Sequence, residues 1–205
     1  MNKEIKAIVF DIGGVLCEEQ NQVQYQKLSK EFNFDIKSFE LSRNKHVWKS
    51  LKNPKSTFEY ESLIAEDLGI NKNRFIKSWQ KLRDKHICLK KEKKEILRKL
   101  KNNYILVSFT NVNPAHELLR KKNKIYSLFD LNIKSCECGL AKPSTKFFKY
   151  LIKDLKKYNV SAEEAVFIDD RKNNIPPARK LGLKTILFKT NNQLEKELKK
   201  LGVKI

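Results

Sequence analysis

Asp11, Thr110-Asn111, Lys142 and Asp169-Asp170 are the residues whose types and spacing could do chemistry in this chain. Asp11 follows the apolar run Ala7-Ile8-Val9-Phe10 and precedes Gly13-Gly14. Thr110-Asn111 closes Tyr104-Ile105-Leu106-Val107-Ser108-Phe109, and Asp169-Asp170 closes Ala165-Val166-Phe167-Ile168. Lys142 stands in Gly139-Leu140-Ala141-Lys142-Pro143, just before an amphipathic stretch. Three carboxylates brought together repel strongly unless a cation sits among them, and Mg²⁺ suits one or two carboxylates plus phosphate oxygens. Thr110 offers a hydroxyl, and the helix start beyond it offers N–H groups for phosphate oxygens. Lys142 is a point charge suited to phosphate. A carboxylate nucleophile, a metal, a hydroxyl and a lysine together make a phosphoryl-transfer site. Attack by Asp11 would give an aspartyl-phosphate that water then hydrolyses.

Each piece alone has a plainer reading. Asp11 could cap a turn, Thr110-Asn111 could be turn chemistry, Asp169-Asp170 could cap a helix, and Lys142 is one lysine among many. The order Asp, Thr, Lys, Asp-Asp at successive element junctions favours the joint reading.

Convergence of these residues requires parallel strands whose carboxyl ends share one edge. Short apolar runs predict such strands at 7–10, 104–109, 131–135, 165–168 and 183–188. Helices are expected at 91–101, 114–122, 144–158, 175–181 and 193–201, with Asn113 as N-cap and Pro114 at the first helical position. That alternation predicts an α/β fold with a parallel sheet. Between Val23 and His86 the apolar residues instead follow helical periods. One stripe starts with Val23, Leu28 and Phe32, and others run through Phe39, Val47, Trp48 and Leu51, then Tyr60 to Leu68, then Phe75 to Leu82. Breaks at Asn33, Asn53-Pro54 and Gly69 divide about four helices with no strand between them, which reads as an insertion after the first strand.

Composition bounds the rest. The chain has 205 residues, with 40% hydrophobic and 10% aromatic residues, so it can bury a good core. The apolar run near the start breaks at Asp11, too early for a signal peptide, and no stretch approaches a membrane span. The expected setting is the cytoplasm, with Cys17, Cys88, Cys136 and Cys138 as free thiols. The net charge of +20 would attract an anionic partner. Its lysines are spread along the whole chain, and no aromatic-glycine RNA-binding signature accompanies them. A solvated surface is the favoured reading, a nucleic-acid partner is not expected, and oligomeric state is left open.

The motifs resemble those of haloacid-dehalogenase-superfamily hydrolases over nearly the full length. Phe10-Asp11-Ile12-Gly13-Gly14-Val15-Leu16 resembles the first motif, Ser108-Phe109-Thr110-Asn111 the second and Lys142-Pro143 the third. Phe167-Ile168-Asp169-Asp170 through Asn174-Ile175 resembles the fourth, trailed by Ala178-Arg179-Lys180-Leu181-Gly182. The chain is most similar to the branch holding sugar-1-phosphate phosphatases and the N-terminal phosphatase domain of soluble epoxide hydrolases. The resemblance implies a Rossmann-like three-layer core of residues 1–16 and 90–205 and a helical-bundle cap of residues 17–89. It implies Asp11 as nucleophile, with Thr110, Asn111 and Lys142 toward the phosphate of a small substrate. It implies Mg²⁺ on Asp11, the Gly13 carbonyl and the Asp169-Asp170 pair; either of the two can be the direct contact, with Asp170 favoured.

One position departs from that pattern. Most phosphatases of the superfamily carry a second aspartate two residues after the nucleophile, as general acid and base, and here Gly13 stands there. Such help is typically worth ~10²–10⁴-fold. Either His116, Glu18 or Glu19 takes the role, or the substrate has a good leaving group, as anomeric sugar, acyl and aryl phosphates do.

The expected function is therefore a Mg²⁺-dependent phosphatase of a small metabolite, with sugar phosphates among the candidates. The rivals are displacement of halide by Asp11, and a non-catalytic binder of phospho-ligands or nucleic acid. Cys136-x-Cys138 is too small a set for a structural zinc site. His46 and His86 are expected to be surface or packing residues, Trp48 and Trp79 core of the insertion, and Ser161-x-x-Glu164 a capping box.

Overall fold

A computed structural model describes residues 3–17, 21–52, 57–87 and 89–205. Strand β1 (Ala7–Phe10) is followed by four helices, α1 (Asn21–Phe32), α2 (Ile36–Ser50), α3 (Glu59–Asp67) and α4 (Lys72–His86). Then come α5 (Lys91–Lys101), β2 (Ile105–Thr110), α6 (Pro114–Lys122), β3 (Leu131–Lys134) and the short α7 (Ser135–Cys138). The chain continues through α8 (Thr145–Lys156), β4 (Ala165–Asp169), α9 (Ile175–Lys180), β5 (Lys184–Leu187) and α10 (Asn191–Lys200).

The five strands form one parallel sheet in the order β3-β2-β1-β4-β5. The chain runs from the centre outward through β2 and β3, then crosses to β4 and β5. The switch point therefore falls between β1 and β4, where open α/β sheets open a crevice at the strand carboxyl ends. Asp11 and Asp169 stand there, with Asp11 N–H donating to the Ile168 carbonyl at 2.9 Å.

The two faces of the sheet bury alternate residues, as a strand period of two requires. Ile8, Phe10, Leu106, Val166 and Ile168 pack under α5, α6 and α10. Ala7, Val9, Val107, Phe109 and Phe167 pack under α8 and α9. On that second face Phe147 and Phe148 of α8 lie 4.2 and 5.3 Å from the Phe109 ring, centroid to centroid. Burying an aromatic of this size stabilises by about 1.5–3 kcal/mol, and it fixes the start of α8, the helix that follows Lys142.

Helices α1 to α4 have a core of their own: Tyr25, Leu28, Phe39, Tyr60, Ile64, Ala65, Phe75 and Trp79. Cys17 and Leu89 pair across the two chains leading into and out of this unit, and both pack with the sheet core. Asp67 ties α2 to α3, accepting from Ser42 at 2.7 Å, Lys45 at 2.9 Å and His46 at 2.9 Å. Asp84 on α4 meets Lys122 at 2.5 Å and Asn123 at 2.9 Å, which joins the helical unit to α6.

The expected α/β class and strand positions hold, with ends displaced by a residue or two. Thr110 is the last residue of β2, and Ser135 opens α7 where a strand end was expected. Asn113 caps α6, accepting from His116 N–H at 2.8 Å. The Ser161–Glu164 capping box forms, on a single 3₁₀ turn. Trp79 is core, but Trp48 is 51% exposed and Val23 is also exposed. On α2, Leu41 and Trp48 lie seven residues apart on the side opposite Phe39, so a helical repeat alone picks the wrong face. Cys136 and Cys138 are free thiols, and Cys17 is buried. No helix among the described residues is long and apolar enough to cross a membrane. Glu18, Glu19, Cys88, the Asn53-Pro54 break and the side chain of His86 lie outside the described residues.

Candidate active site

A cavity of about 180 Å³ opens at the switch point, lined by Asp11, Gly13, Gly14, Lys142, Asp170 and Asn174, with Arg120 and Arg171 also in its wall. Oxygens of Asp11, Asp169 and Asp170 all lie within 4.8 Å of one another. Two of these carboxylates share a single ammonium. Lys142 Nζ is 2.6 Å from Asp169 Oδ2 and 3.2 Å from Asp11 Oδ1, and it donates to the Phe109 carbonyl at 2.9 Å. The stem of Lys142 is buried between Phe109 and Phe167, each ring 5.4 Å from the charge.

The acidic pair divides its labour. Asp169 is fully buried and accepts from Lys142 Nζ, from Arg171 N–H at 2.8 Å, and from Asn174 Nδ2 at 3.0 and 2.9 Å on its two oxygens. A carboxylate has about four acceptor sites, so Asp169 is saturated by protein donors. Asp170 instead forms part of the cavity wall. Partial burial, and then the charges of Asp11 and Asp169, raise its carboxyl above the ordinary range. A cation would relieve that repulsion, and hard carboxylate oxygens are the donors Mg²⁺ takes. The residues thus fit the expected metal. Gly14, at φ +76°, makes room for it: a Cβ there would lie 2.4 Å from Asp170 Oδ2.

Asp11 is oriented from two sides, because Oδ1 also accepts from Ile12 N–H at 2.8 Å. Asn111 latches the Lys142 loop. Its Nδ2 donates to the Lys142 carbonyl and its Oδ1 accepts from Lys142 N–H, both at 2.8 Å. This use of the amide explains the asparagine, which the sequence placed toward phosphate. Thr110 is fully buried and accepts from Arg120 Nη1 at 2.9 Å. The donation occupies a lone pair of Oγ1 and turns the hydroxyl proton away from Arg120. Arg120 is itself 1% exposed and reaches the cavity wall. Nothing in the sequence marks it among 44 lysines and arginines, since it meets Thr110 only when α6 folds back on β2.

The expected proton-transfer candidates separate. Gly13 lines the cavity beside Asp11. His116 lines a neighbouring cavity. Burial, then the Arg120 and Arg83 guanidiniums, push its imidazole well below the ordinary range, so it is neutral at pH 7. Among the described wall residues, Asp170 is the carboxylate other than Asp11. Cys136 and Cys138 stay outside the cavity, and burial pushes the Cys136 thiol up to about 11, against any redox role.

Known proteins resemble this chain in sequence and in fold. A stretch of 72 residues is 38% identical to bifunctional epoxide hydrolase 2 of Rattus norvegicus, covering 35% of this chain but only 12% of that longer protein. The sesquiterpene phosphatase AstK of Aspergillus oryzae is 26% identical over 183 residues, 87% of each chain. A HAD family enzyme of Bacteroides thetaiotaomicron, solved in complex with magnesium and inorganic phosphate, superposes with a TM-score of 0.74 at 25% identity, over 91% of this chain and 96% of that one. The haloacid dehalogenase-like hydrolase family model matches residues 5–182, and the chain belongs to that family.

Proposed function

We propose that this hydrolase is a Mg²⁺-dependent phosphatase of small phosphorylated metabolites, working through an aspartyl-phosphate on Asp11. The observation that carries the reading is one cavity holding Asp11, the open Asp170 carboxylate, Lys142 and Arg120 at the sheet switch point. Residues 17–89 act in it as a cap domain over a core of 1–16 and 90–205. Halide displacement has no use for Asp170, whose carboxylate would only repel the attacking one.

Asp11 Oδ1 is held by Ile12 N–H and Lys142, which leaves Oδ2 to attack phosphorus in line with the leaving oxygen. Lys142 neutralises charge on the phosphoryl oxygens, and Thr110, buried behind the cavity wall, positions Arg120, which reaches that wall. Asp170, Asp11 and the Gly13 carbonyl would hold Mg²⁺, which supplies charge stabilisation at the transferring group. Asp169, Asn174 and Asn111 keep Lys142 in place. Water then attacks the aspartyl-phosphate, Asp11 departs as carboxylate, and orthophosphate is released.

With glycine at position 13, the leaving oxygen departs without a carboxylic acid beside it at that position. Substrates with good leaving groups therefore react best. The chain is tested by Mg²⁺-dependent phosphate release from an aryl phosphate, with Asp11→Asn as control. Activity that persists in Asp11→Asn, or in chelator, overturns the mechanism. Equal rates on aryl and simple alkyl phosphates, with no gain from Gly13→Asp, overturn the leaving-group account.

A further inference from the structure

A second cavity, of about 140 Å³, lies between the helical unit and the sheet edge. It shares Asn21, Asn111 and Arg171 with the wall of the Asp11 cavity, so one substrate can extend through both. Among the described residues its wall carries three arginines, Arg43 on α2, Arg83 on α4 and Arg171 beyond β4, and no carboxylate.

The arginines differ in how they are held. Arg83 pairs with Glu61, which is fully buried, and its guanidinium stacks 3.9 Å from the Trp79 ring. Its charge is largely answered within the protein. Arg43 stacks 4.5 Å over the Tyr25 ring, and its Nε is buried without a hydrogen-bond partner. Neither Arg43 nor Arg171 has an acidic partner in an ion pair among the described residues. Gln24, 3% exposed and in the same wall, has a side-chain amide oxygen with no partner. Its amide can rotate to present N–H instead. Burial raises the Tyr60 hydroxyl above its ordinary range, so it stays a neutral donor. Buried polar groups left unanswered are rare and costly. Here they are collected around the Arg43 guanidinium, which has no ion-paired carboxylate among the described residues, beside the Asp11 cavity.

We infer that this cavity binds a second anionic group of the substrate, a carboxylate or a further phosphate, carried on the part of the molecule remote from the scissile phosphate. The inference rests on the phosphatase reading for the first group and names the substrate class of the same site. Arg43 supplies the planar fork that matches either oxyanion, Arg171 adds charge at the passage between the cavities, and Gln24 and Tyr60 donate hydrogen bonds. Tyr25 and Trp79 wall the site with ring faces, and their low polarity strengthens the pairing.

The test compares matched phosphates of two lengths. Glycerol 3-phosphate and glucose 6-phosphate carry neutral tails. 3-Phosphoglycerate and 6-phosphogluconate carry a carboxylate. 1,3-Propanediol bisphosphate and glucose 1,6-bisphosphate carry a second phosphate. The Mg²⁺-loaded enzyme should favour the carboxylate or the bisphosphate arm of at least one length by tenfold or more in kcat/KM, and the better arm identifies the anion. Arg43→Gln should bring that ratio down by about tenfold, chiefly through KM. Leu41→Gln, on the outer face of α2, should keep it. Arg43→Gln is preferred to a change at Arg83, which would strand the buried Glu61 charge. A ratio near one at both lengths, or an unchanged ratio in Arg43→Gln, overturns the inference. Calorimetric affinities for the same compounds on an Asp11→Asn background need no turnover. They report the second anion site even where failure to release phosphate from an aryl ester has refuted the phosphatase reading.

Discussion

Replacing Gly14 by alanine separates backbone strain from disruption of the acidic cluster. Gly14 has φ +76°, and an L residue in the left-handed region costs roughly 1–2 kcal/mol. For a chain of this size that lowers the thermal midpoint by about 2–8 °C. The added Cβ would also stand 2.4 Å from Asp170 Oδ2 and 2.6 Å from its Cγ. A carboxylate at the end of a short side chain yields by rotating, so the contact costs little stability and instead moves Asp170 out of the cluster. Gly69→Ala is the matched control, because Gly69 has φ +64° and nothing within 4 Å of its would-be Cβ. Both variants should lose similar stability, measured by thermal unfolding. Only Gly14→Ala should then need about 10–100-fold more Mg²⁺ for half-maximal phosphate release, the range seen when support around a metal ligand is lost. Identical Mg²⁺ titrations for the two variants would refute the placement of Asp170 as the metal contact.

Lys142→Met leaves the buried Asp11 and Asp169 carboxylates without their shared ammonium, and should abolish turnover and cost about 3 kcal/mol in urea unfolding. A loss under about 1 kcal/mol would show that Asn174 and Arg171 N–H suffice for Asp169. Arg120→Met should lower kcat/KM for an aryl phosphate by at least about tenfold, with Arg120→Lys recovering part of it, because a charged hydrogen bond contributes about 1.5–3 kcal/mol. Wild-type kinetics in Arg120→Met would refute its role at Thr110. Hydrogen bonds from Lys45, Ser42 and His46 hold the Asp67 carboxyl below the ordinary carboxylate range. A group lowered in the folded state stabilises above its unfolded value, near 3.8, and loses that contribution as pH falls through its folded value. Asp67→Asn should therefore reduce the thermal midpoint at pH 7, and the gap to wild type should narrow as pH falls below about 3.8. A gap independent of pH would show that the carboxylate charge contributes nothing.

Much of the fold was legible because local rules agreed with the global arrangement. Ala7-Ile8-Val9-Phe10 and Ala165-Val166-Phe167-Ile168 are apolar throughout, as strands buried on both faces must be. Asn113-Pro114 marks a helix start by capping chemistry that needs no tertiary contact. Where only one helix face is buried, repeat and side are separate questions, and the repeat does not say which side meets a core. That is why Trp48 read as core and stands in solvent, while Gln24 and Tyr25 turn inward in place of Val23.

The sequence by itself determined that Asp11, Lys142 and Asp169-Asp170 sit at element junctions, because strand ends and turns are written in local residue types. Tertiary structure decided what each touches there. Asp169 and Asp170 are adjacent and chemically alike, yet one is saturated by Lys142, Asn174 and a backbone N–H while the other stays open. Those donors come from distant parts of the chain, or from the turn that follows. Arg120 reaches the Asp11 cavity only by packing against Thr110, and Arg43 lines the neighbouring cavity only because the helical unit lies over the sheet edge. Such pairings depend on distances across the fold, which residue types and spacing along the chain do not encode.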